Sequence, residues 1–564
     1  MKLNHQQFGD TDNKQMNMKN KNAKKTELVA NWQTLMRTFI RPENEETKLI
    51  LIKYMEQILF GLHNFLKKHV GITEEVSLKE LSKRFTDTRI NKNPEKKLAE
   101  VITELIEDIA PHAVNVASPY FVGHMTSAIP FFMVHLKTIV AALNQNLVKI
   151  ETSKVVSILE KQVIAKIHRV IYKEKESFYK EHVQNSKTTL GCFTKDGTLA
   201  NITALWVARN SLLSSKEGFS GIEEEGIAAA YKAYGIEKCV ILTSKLSHYS
   251  LKKAGGILGI GNQNIIAIDV DSNNRINLAL LNKEIKEIKQ TGGRIRILAV
   301  VGIAGATETG TIDPLKEIGM LCSENKIYFH VDAAWGGPTL MSEKYRHLLD
   351  GIELADSVTI DCHKQFYMPM SSGMVYFKDP AIMDSIAYYA NYVNRPGSVD
   401  LGIKSITGSR EANSIILDCA LKIMGSQGYA LLIEHGIETA HEFAEEIKKR
   451  PDFQLITPPE LNVLTYRICP AKIKHKLSEA NFEQRQSINE KLNKINRTVQ
   501  RLQREAGKSF VSRTTLSIGN KWKEDIVVLR CVIMNPMTNI NILRKILDEQ
   551  EEIYRCHMHE VSSQ

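Results

Sequence analysis

The feature that most constrains this fold is a series of short apolar segments in the middle of the chain, punctuated by glycine and followed by helical patterns. The segments are TTLGCF, CVILTS, NIIAID, RILAVVGIAG, IYFHVDAA, DSVTIDCH and GMVYFK. Apolar strands that alternate with helices predict an α/β fold with a mainly parallel sheet flanked by helices on both faces. Ligands bind beyond the carboxyl ends of such strands, so the residues after each strand are the first candidates for a site.

Helical patterns flank this central part. An early apolar face has spacings of three and four: Leu49, Ile52, Met55, Ile58, Leu59 and Leu62. A late stripe alternates spacings of four and three: Ile488, Leu492, Ile495, Val499 and Leu502. Because the late stripe covers barely two heptads, we favour a core-packed helix over a dimerising coil.

These patterns divide the chain of 564 residues into four parts. We expect a disordered basic tail over 1–30, an N-terminal helical region over 31–120, a large α/β domain over 121–395 and a smaller α+β domain over 396–564. The tail is rich in lysine and amide residues and has little apolar surface to bury.

Composition excludes several classes of protein. Hydrophobic residues make 43% and charged residues 24%, which is typical of globular domains and not of disordered or fibrous ones. The net charge of +10 is spread along the chain, so a solvated basic surface is favoured over a nucleic-acid partner. We find no signal peptide and no run of about 18 apolar residues, so we expect a cytoplasmic protein that does not enter a membrane.

The eight cysteines are far apart and form neither a CxxC pair nor a cluster of metal ligands. We therefore expect no metal site, and thiols that stay reduced inside the cell.

Three segments carry candidate chemistry at the strand ends. The turn Lys195-Asp196-Gly197-Thr198 leads from a strand into a helix, where free backbone amides favour a bound anion, although glycine and threonine also serve turn geometry alone. Asp332 ends an apolar strand, where a buried carboxylate needs a cation or serves as a cap for the next turn.

The third segment, Cys362-His363-Lys364, follows another strand. Most lysines are solvated surface charges, but a partly desolvated lysine has the lowered pKa that Schiff-base chemistry requires. His248 follows the strand CVILTS at the same sheet edge, where it can stack on a planar ligand or merely form hydrogen bonds.

Together these residues resemble the group II amino-acid decarboxylases that use pyridoxal phosphate (PLP) and have the aspartate-aminotransferase fold, fold type I. The likeness runs from about residue 110 to 430. It implies that the large domain binds PLP, that Lys364 links to it covalently, that Asp332 pairs with the pyridine nitrogen and that His248 and Ala334 pack on the two ring faces. It also places Thr307 near the 3′ oxygen and assigns the phosphate to Asp196, Gly197, Thr198 and His363.

Within the family, the likeness is greatest to bacterial members that act on aspartate. It is carried by GHMTSAIPFF, ALNQNLVKIETSK, HYSLKKA, HVDAAWGG, KYRHLLDGIELADSVTID and HKQFYMPMSSGM. It implies decarboxylation of aspartate to β-alanine, which feeds pantothenate and coenzyme A synthesis, in a homodimer with active sites at the interface. The residues it suggests for the substrate are His124, Thr126, Ser127, Gln145 and Arg410, and for Arg410 a structural salt bridge is the alternative.

The source of the proton for Cα stays open. Val399 stands where some glutamate decarboxylases carry a catalytic tyrosine, which leaves Tyr392, Tyr389 and His248 as candidates. Alternatives to aspartate are glutamate, cysteine sulfinate and aromatic amino acids, and the same lysine and aspartate also serve transamination and carbon–sulfur lysis. A further alternative is an inactive relative that acts as a binding protein.

Overall fold

The computed structural model describes residues 31–33, 45–67, 78–391, 395, 397–518 and 524–562. The expected tail over 1–30 lies outside these residues. Contacts divide the chain into two units, Met1–Phe65 with Val76–Ala113, and Leu66–Glu75 with Val114–Gln564. The boundaries expected after residues 120 and 395 stay predictions.

The regular structure in the described part of the first unit is helical, and residues 85–97 form a loop. Its helices are α1 (Glu45–Leu66), α2 (Leu78–Arg84) and α3 (Leu98–Glu104), and a π turn (Leu105–Ile109) follows α3. Gly61 of α1 packs so closely on Ile106 that an added Cβ would lie 2.2 Å from its Cδ1. The early apolar pattern is therefore helical, as predicted, but Leu49, Ile52 and Leu59 remain exposed in the single chain.

The second unit contains a seven-stranded sheet. Its strands are β1 (Gly191–Thr194), β2 (Lys238–Ser244), β3 (Ile265–Ile268), β4 (Ile295–Ile303), β5 (Phe329–Asp332), β6 (Ser357–Asp361) and β7 (Gly373–Phe377). Its helices up to β6 are α4 (Phe131–Leu143), α5 (Val155–Tyr172), α6 (Glu176–His182), α7 (Gly197–Leu212), α8 (Ile222–Tyr234), α9 (Ser250–Ile257), α10 (Leu278–Gln290) and α11 (Leu315–Asn325).

The strand order is β1-β7-β6-β5-β4-β2-β3. All neighbours from β3 to β6 pair in parallel, and only β7 runs antiparallel to both of its neighbours. The register places Asp332 opposite Ile303 on β4 and Thr359 on β6. The carboxyl ends of three adjacent strands therefore meet at one edge, as the sequence predicts.

Burial explains why these strands lack alternation. Every residue of β5, β6 and β7 is buried, because helices cover both faces of the sheet. The core on one side includes Val300, Val331 and Val358, and the core on the other includes Leu205, Leu298 and Val301.

A smaller antiparallel sheet follows along the chain. Its strands are β8 (Phe453–Thr457), β9 (Val463–Ile468), β10 (Ser512–Ile518) and β11 (Glu524–Val532), in the order β10-β11-β9-β8. Its helices are α12 (Ser414–Lys449), α13 (Ala471–Glu479), α14 (Phe482–Ala506) and α15 (Ile540–Ser562). The late apolar stripe lies on α14 and packs in the core with Leu492, Ile495 and Val499 buried, as predicted.

Among the described helices, α12 is long and apolar enough, by length and composition alone, to cross a membrane. Core helices of globular domains share this property. Side chains along α12, including Ile416, Ile433 and Phe443, are buried in the cores of the unit.

Candidate active site

A cavity of about 250 Å³ opens at the edge where β4, β5 and β6 end. All nine residues that the sequence suggested for the cofactor line it: Asp196, Gly197, Thr198, His248, Thr307, Asp332, Ala334, His363 and Lys364. The fold thus brings together side chains from positions that are far apart in the sequence. Among the described residues, no group of three His, Cys, Asp or Glu side chains has an arrangement that suits a metal ion.

Asp332 is a buried carboxylate held by two donors. Asn201 of α7 donates its amide to Oδ2 at 2.9 Å, and the backbone amide of Ala334 donates to Oδ1 at 3.2 Å. The Asn201 side chain is itself fixed by His330, whose ring nitrogen lies 3.0 Å from its amide oxygen. Neither donor of Asp332 carries a charge, so the carboxylate keeps its capacity for a cationic partner.

His248 joins the same network from the other side. Its Nδ1 lies 2.9 Å from the hydroxyl of Ser250, and Asn201 also donates to that hydroxyl at 3.1 Å. Burial lowers the pKa of His248, and the charges of Asp332 and Lys364 act on that pKa in opposite directions. The imidazole is therefore neutral near pH 7 and is oriented by hydrogen bonds.

Lys364 follows β6 and reaches back to the end of that strand. Its Nζ lies 2.9 Å from Oδ2 of Asp361, and the lysine side chain is 21% exposed. Oδ1 of Asp361 is buried and has no hydrogen-bond partner within the described chain. Asp361 lines the cavity and is a site residue that the sequence analysis missed, although it belongs to the same D-C-H-K segment.

The turn after β1 has the geometry of an anion site. Asp196 caps α7, because its Oδ1 accepts the amide of Leu199 at 2.9 Å. The amides of Gly197 and Thr198, in the first turn of α7, have no acceptor in the part of the chain described. A Cβ at Gly197 would lie 2.8 Å from Oδ2 of Asp361, so a side chain there would crowd the cavity.

This geometry refines the expected role of Asp196. The carboxylate of Asp196 accepts the hydrogen bond that caps the helix. The donors available to a phosphate are therefore the backbone amides of Gly197 and Thr198. His363 lies beside them, with Nδ1 2.6 Å from the carbonyl of Ser372. The side chain of Asp196 thus caps the helix, and the donors to an anion are the backbone amides of Gly197 and Thr198.

These residues fit the pyridoxal phosphate that the sequence suggests. The unpaired amides of α7 suit its phosphate, the buried carboxylate of Asp332 suits a protonated ring nitrogen, and Lys364 supplies the amine. Ala334 is small enough to let a flat ring approach.

The predicted substrate residues separate into two groups. His124 lies close enough to Lys364 and Arg530 for both charges to lower its pKa, in addition to the larger effect of burial. Next to it, Thr126 is half-buried, and the Ser127 hydroxyl is buried without a partner among the described residues. Of this segment only Met125 lines the cavity, so His124, Thr126 and Ser127 stand beside the lining. Gln145 is also outside the lining, and it donates to the carbonyl of Leu143 at 2.8 Å.

Of the two roles expected for Arg410, the structure shows the structural salt bridge and not a contact with the substrate. Its guanidinium forms a bidentate ion pair with Glu160, and both side chains are almost fully buried. Arg410 lines a different cavity from the one at Lys364. Because Glu160 already neutralises it, Arg410 serves packing in this chain and does not offer a free charge to a substrate.

Arg530 is a cation that the sequence analysis missed. It lies on β11 of the smaller sheet and is 6% exposed. Its Nε donates to the carbonyl of Thr307 at 2.6 Å, and its Nη1 donates to the carbonyl of Gly123 at 3.2 Å. Burial lowers the pKa of Arg530 to about 10, a value that still leaves it charged at neutral pH.

Two of the candidate donors of the Cα proton lie in different cavities. His248 lines the cavity with Lys364, whereas Tyr389 lines the cavity that contains Arg410. Tyr392 lies outside the described residues. Within the described chain, His248 is therefore the one of the three that stands at the site.

Comparisons with known proteins agree with this geometry. A family model described as the pyridoxal-dependent decarboxylase conserved domain matches residues 80–469. A protein of Aliivibrio fischeri named aspartate 1-decarboxylase is 46% identical over 524 residues, which cover 93% of this chain and 95% of that protein. A Bos taurus protein named acidic amino acid decarboxylase is 29% identical over 374 residues, 65% of this chain and 66% of that protein.

Among solved structures, the glutamate decarboxylase domain of a diaminobutyrate-pyruvate transaminase and L-2,4-diaminobutyrate decarboxylase from Vibrio parahaemolyticus superposes with a TM-score of 0.76. The two share 20% sequence identity, and the match covers 93% of this chain and 99% of that one. This likeness confirms the predicted fold.

Proposed function

Because this chain belongs to the pyridoxal-dependent decarboxylase family and is a PLP-dependent amino-acid decarboxylase of fold type I, we propose that its substrate is L-aspartate. The reaction breaks the bond between Cα and the α-carboxylate, releases that group as CO₂ and adds a proton to Cα, giving β-alanine. The 46% identity to a protein named aspartate 1-decarboxylase supports this choice over the whole length of the enzyme.

PLP, when bound, supplies a ring that accepts the electrons of the breaking bond. Asp332 holds a proton on the pyridine nitrogen, because a buried carboxylate with two neutral donors favours a cation beside it. Asn201 and Ser250 fix the orientations of Asp332 and His248 relative to each other. Lys364 supplies the amine that holds the cofactor, and Asp361 positions that amine.

The second carboxylate of aspartate distinguishes it from most amino acids. We propose that Arg530 and His124 bind this carboxylate. Arg530 donates to the carbonyl of Gly123, the residue before His124, and the charges of Arg530 and Lys364 both add to the lowering of the His124 pKa by burial. The guanidinium of Arg530 donates to the backbone carbonyls of Thr307 and Gly123. Thr307 lines the cavity, and Gly123 precedes His124 in the chain. A fixed guanidinium is the side chain best suited to a carboxylate.

The Arg530 proposal is tested by comparing Arg530→Gln with Arg467→Gln, which removes another buried guanidinium from the adjacent strand β9. We expect Arg530→Gln to raise the KM for aspartate by about 10- to 100-fold, the loss of one charge-assisted contact. Arg467→Gln should leave KM unchanged. An unchanged KM in Arg530→Gln, with PLP still bound, would place the second carboxylate elsewhere.

A second candidate substrate is another acidic amino acid, such as glutamate or cysteine sulfinate. It is favoured by the relative named acidic amino acid decarboxylase and by the same cation, since Arg530 suits any distal anion. The buried guanidinium of Arg530 favours a substrate with a distal anion over an aromatic one, and Lys364 in the cavity favours an enzyme over an inactive binding protein.

We further propose that the enzyme is a cytoplasmic homodimer that feeds pantothenate synthesis. Helix α4 exposes Phe131, Val134, Ile139 and Leu143, an apolar face that association would bury. His124 precedes this helix and Gln145 follows it, so a dimer formed through α4 would bring both segments to the interface. Sedimentation of the purified enzyme tests the dimer, with Phe131→Asp expected to yield monomers.

A further inference from the structure

A second cavity, of about 300 Å³, shares no lining residue with the one at Lys364. Its walls come from α5, the segment that joins α6 to β1, and the segment over 397–404. Tyr389 also lines it. The proposed reaction uses none of its charged groups.

The charges that line this cavity are mostly paired. Arg410 is matched by Glu160, and Asp400 accepts the backbone amide of Ile150 at 2.7 Å. The other lysines and the histidine in the lining are Lys161, His182, Lys187 and Lys404, and the other carboxylate is that of Asp384. Lys187 is exposed, and His182 lies 3.3 Å from the hydroxyl of Thr188.

Asp384 forms an ion pair with Lys404. The Nζ of Lys404 lies 2.5 Å from Oδ1 of Asp384 and donates to the carbonyl of Lys187 at 3.1 Å. Lys404 is 8% exposed, whereas the side chain of Asp384 is 60% exposed. The carboxylate therefore stands on the outer side, and the ammonium is the inner, more deeply buried partner.

Lys161 is left without a carboxylate. Its Nζ donates to the carbonyl of Asn185 at 2.7 Å, and within the described chain it forms no ion pair. Burial, together with the charge of Lys404, lowers the pKa of Lys161 to about 8. The ammonium groups of Lys161 and Lys404 thus act on one another in the same cavity, while the carboxylate of Asp384 pairs with Lys404 from the outer side.

We propose that this cavity binds a small oxyanion, such as phosphate or a short dicarboxylate, between the ammonium groups of Lys161 and Lys404. Two oxygens on one ligand would satisfy both groups, and the hydroxyls of Ser186 and Thr189 add donors on the same wall. The ligand would link α5 to the segment over 397–404. Its negative charge would also favour the protonated form of Lys161, so binding takes up a proton at pH 8.5.

The test uses enzyme loaded with PLP, titrated with phosphate and separately with succinate by calorimetry at pH 8.5. Titrations in two buffers of different ionisation enthalpy measure the protons taken up. The variants are Lys161→Gln, Lys161→Arg and the control Lys166→Gln, a lysine one turn along α5 that is already paired with Asp418.

We expect wild type and Lys166→Gln to bind alike, with proton uptake, and Lys161→Gln to bind at least 10-fold more weakly. Lys161→Arg should keep the affinity without proton uptake, because arginine stays charged at this pH. Tighter binding of phosphate or of succinate identifies the class of oxyanion. Equal binding by wild type and Lys161→Gln, or no binding of either anion to wild type, would overturn the proposal, and retained proton uptake in Lys161→Arg would do so even if the glutamine variant does not fold.

Discussion

Lys364 and Asp361 form an ion pair at the end of β6, with 2.9 Å between Nζ and Oδ2. The other oxygen of Asp361 is buried and has no partner in the described chain. The pair holds the amine at the edge of the cavity, beside the N-terminus of α7. Nε2 of His363 lies 3.9 Å from the same Oδ2, so Lys364 is the nearer of the two partners that this carboxylate has in the described chain.

Lys364→Ala should abolish turnover and the visible absorbance of the covalent link to the cofactor, because no other described lysine lines the cavity. The far-ultraviolet circular dichroism spectrum should be unchanged, since the side chain is at the cavity and not in the core. Lys344→Ala, at an exposed ion pair with Glu438, is the matched control and should retain full activity. Steady turnover by Lys364→Ala would contradict the mechanism.

Asp332→Asn should lower kcat by at least about 100-fold, which corresponds to about 2.7 kcal/mol. The amide keeps the shape but cannot hold the proton on a pyridine nitrogen. Stopped-flow measurement of a single turnover gives the rate of the chemical step directly. If that rate matches wild type, Asp332 is a structural cap and not part of the electron sink.

Gly197→Ala should weaken PLP binding at least 10-fold, because the added Cβ would lie 2.8 Å from the carboxylate of Asp361. Gly256→Ala in α9 is the matched control, since its Cβ meets nothing within 4 Å. Fluorescence titration of the apoenzymes with PLP compares the two. Equal affinities would show that the turn can adjust and that the close approach is not needed.

Acid stability should depend on His168, which is fully buried and has a pKa lowered to about 4 by burial. Its Nε2 donates to the carbonyl of Phe377 at 3.0 Å, and its Nδ1 accepts from Tyr179. The unfolded chain takes up a proton on this histidine below about pH 6.5, whereas the folded protein does not until about pH 4. This histidine therefore lowers the free energy of unfolding as the pH falls through that window, by about 2 kcal/mol between pH 6.5 and pH 5.

Urea unfolding of His168→Phe at pH 7 and pH 5 measures that contribution in one cofactor state. The variant should lose less stability on acidification than wild type, whatever its stability at pH 7. His475→Phe removes an exposed imidazole and serves as the control. Identical pH dependence in wild type and His168→Phe would show that His168 becomes protonated without unfolding.

The positions of Asp332, His248 and Lys364 were accessible from sequence because each follows an apolar strand, and parallel strands end at one edge. Local patterns identify both the strand and the polar residue after it. The nine cofactor residues were expected from the family resemblance, and the fold brings them to one cavity.

The contacts of three other residues could not be predicted from local sequence patterns. These residues are Arg530, Asp361 and Arg410. Arg530 reaches His124 only because the smaller sheet packs beside the segment around Gly123, a long-range relationship that no local pattern reports. Asp361 ends its strand, and strand register decides that its carboxylate faces Lys364. The family resemblance suggests Arg410 for the substrate, and no local pattern decides between that role and a salt bridge, because its partner Glu160 lies on a helix far earlier in the chain.

A product assay on purified enzyme with added PLP distinguishes decarboxylation of aspartate from every alternative named above. Aspartate, glutamate, cysteine sulfinate and tyrosine are offered separately, and CO₂ and the amine product are both quantified. We expect β-alanine and CO₂ in equal amounts from aspartate, with a kcat/KM at least 10-fold above the value for glutamate, cysteine sulfinate or tyrosine. A higher kcat/KM for any other amino acid would contradict the choice of aspartate, and keto-acid formation without CO₂ would contradict decarboxylation itself.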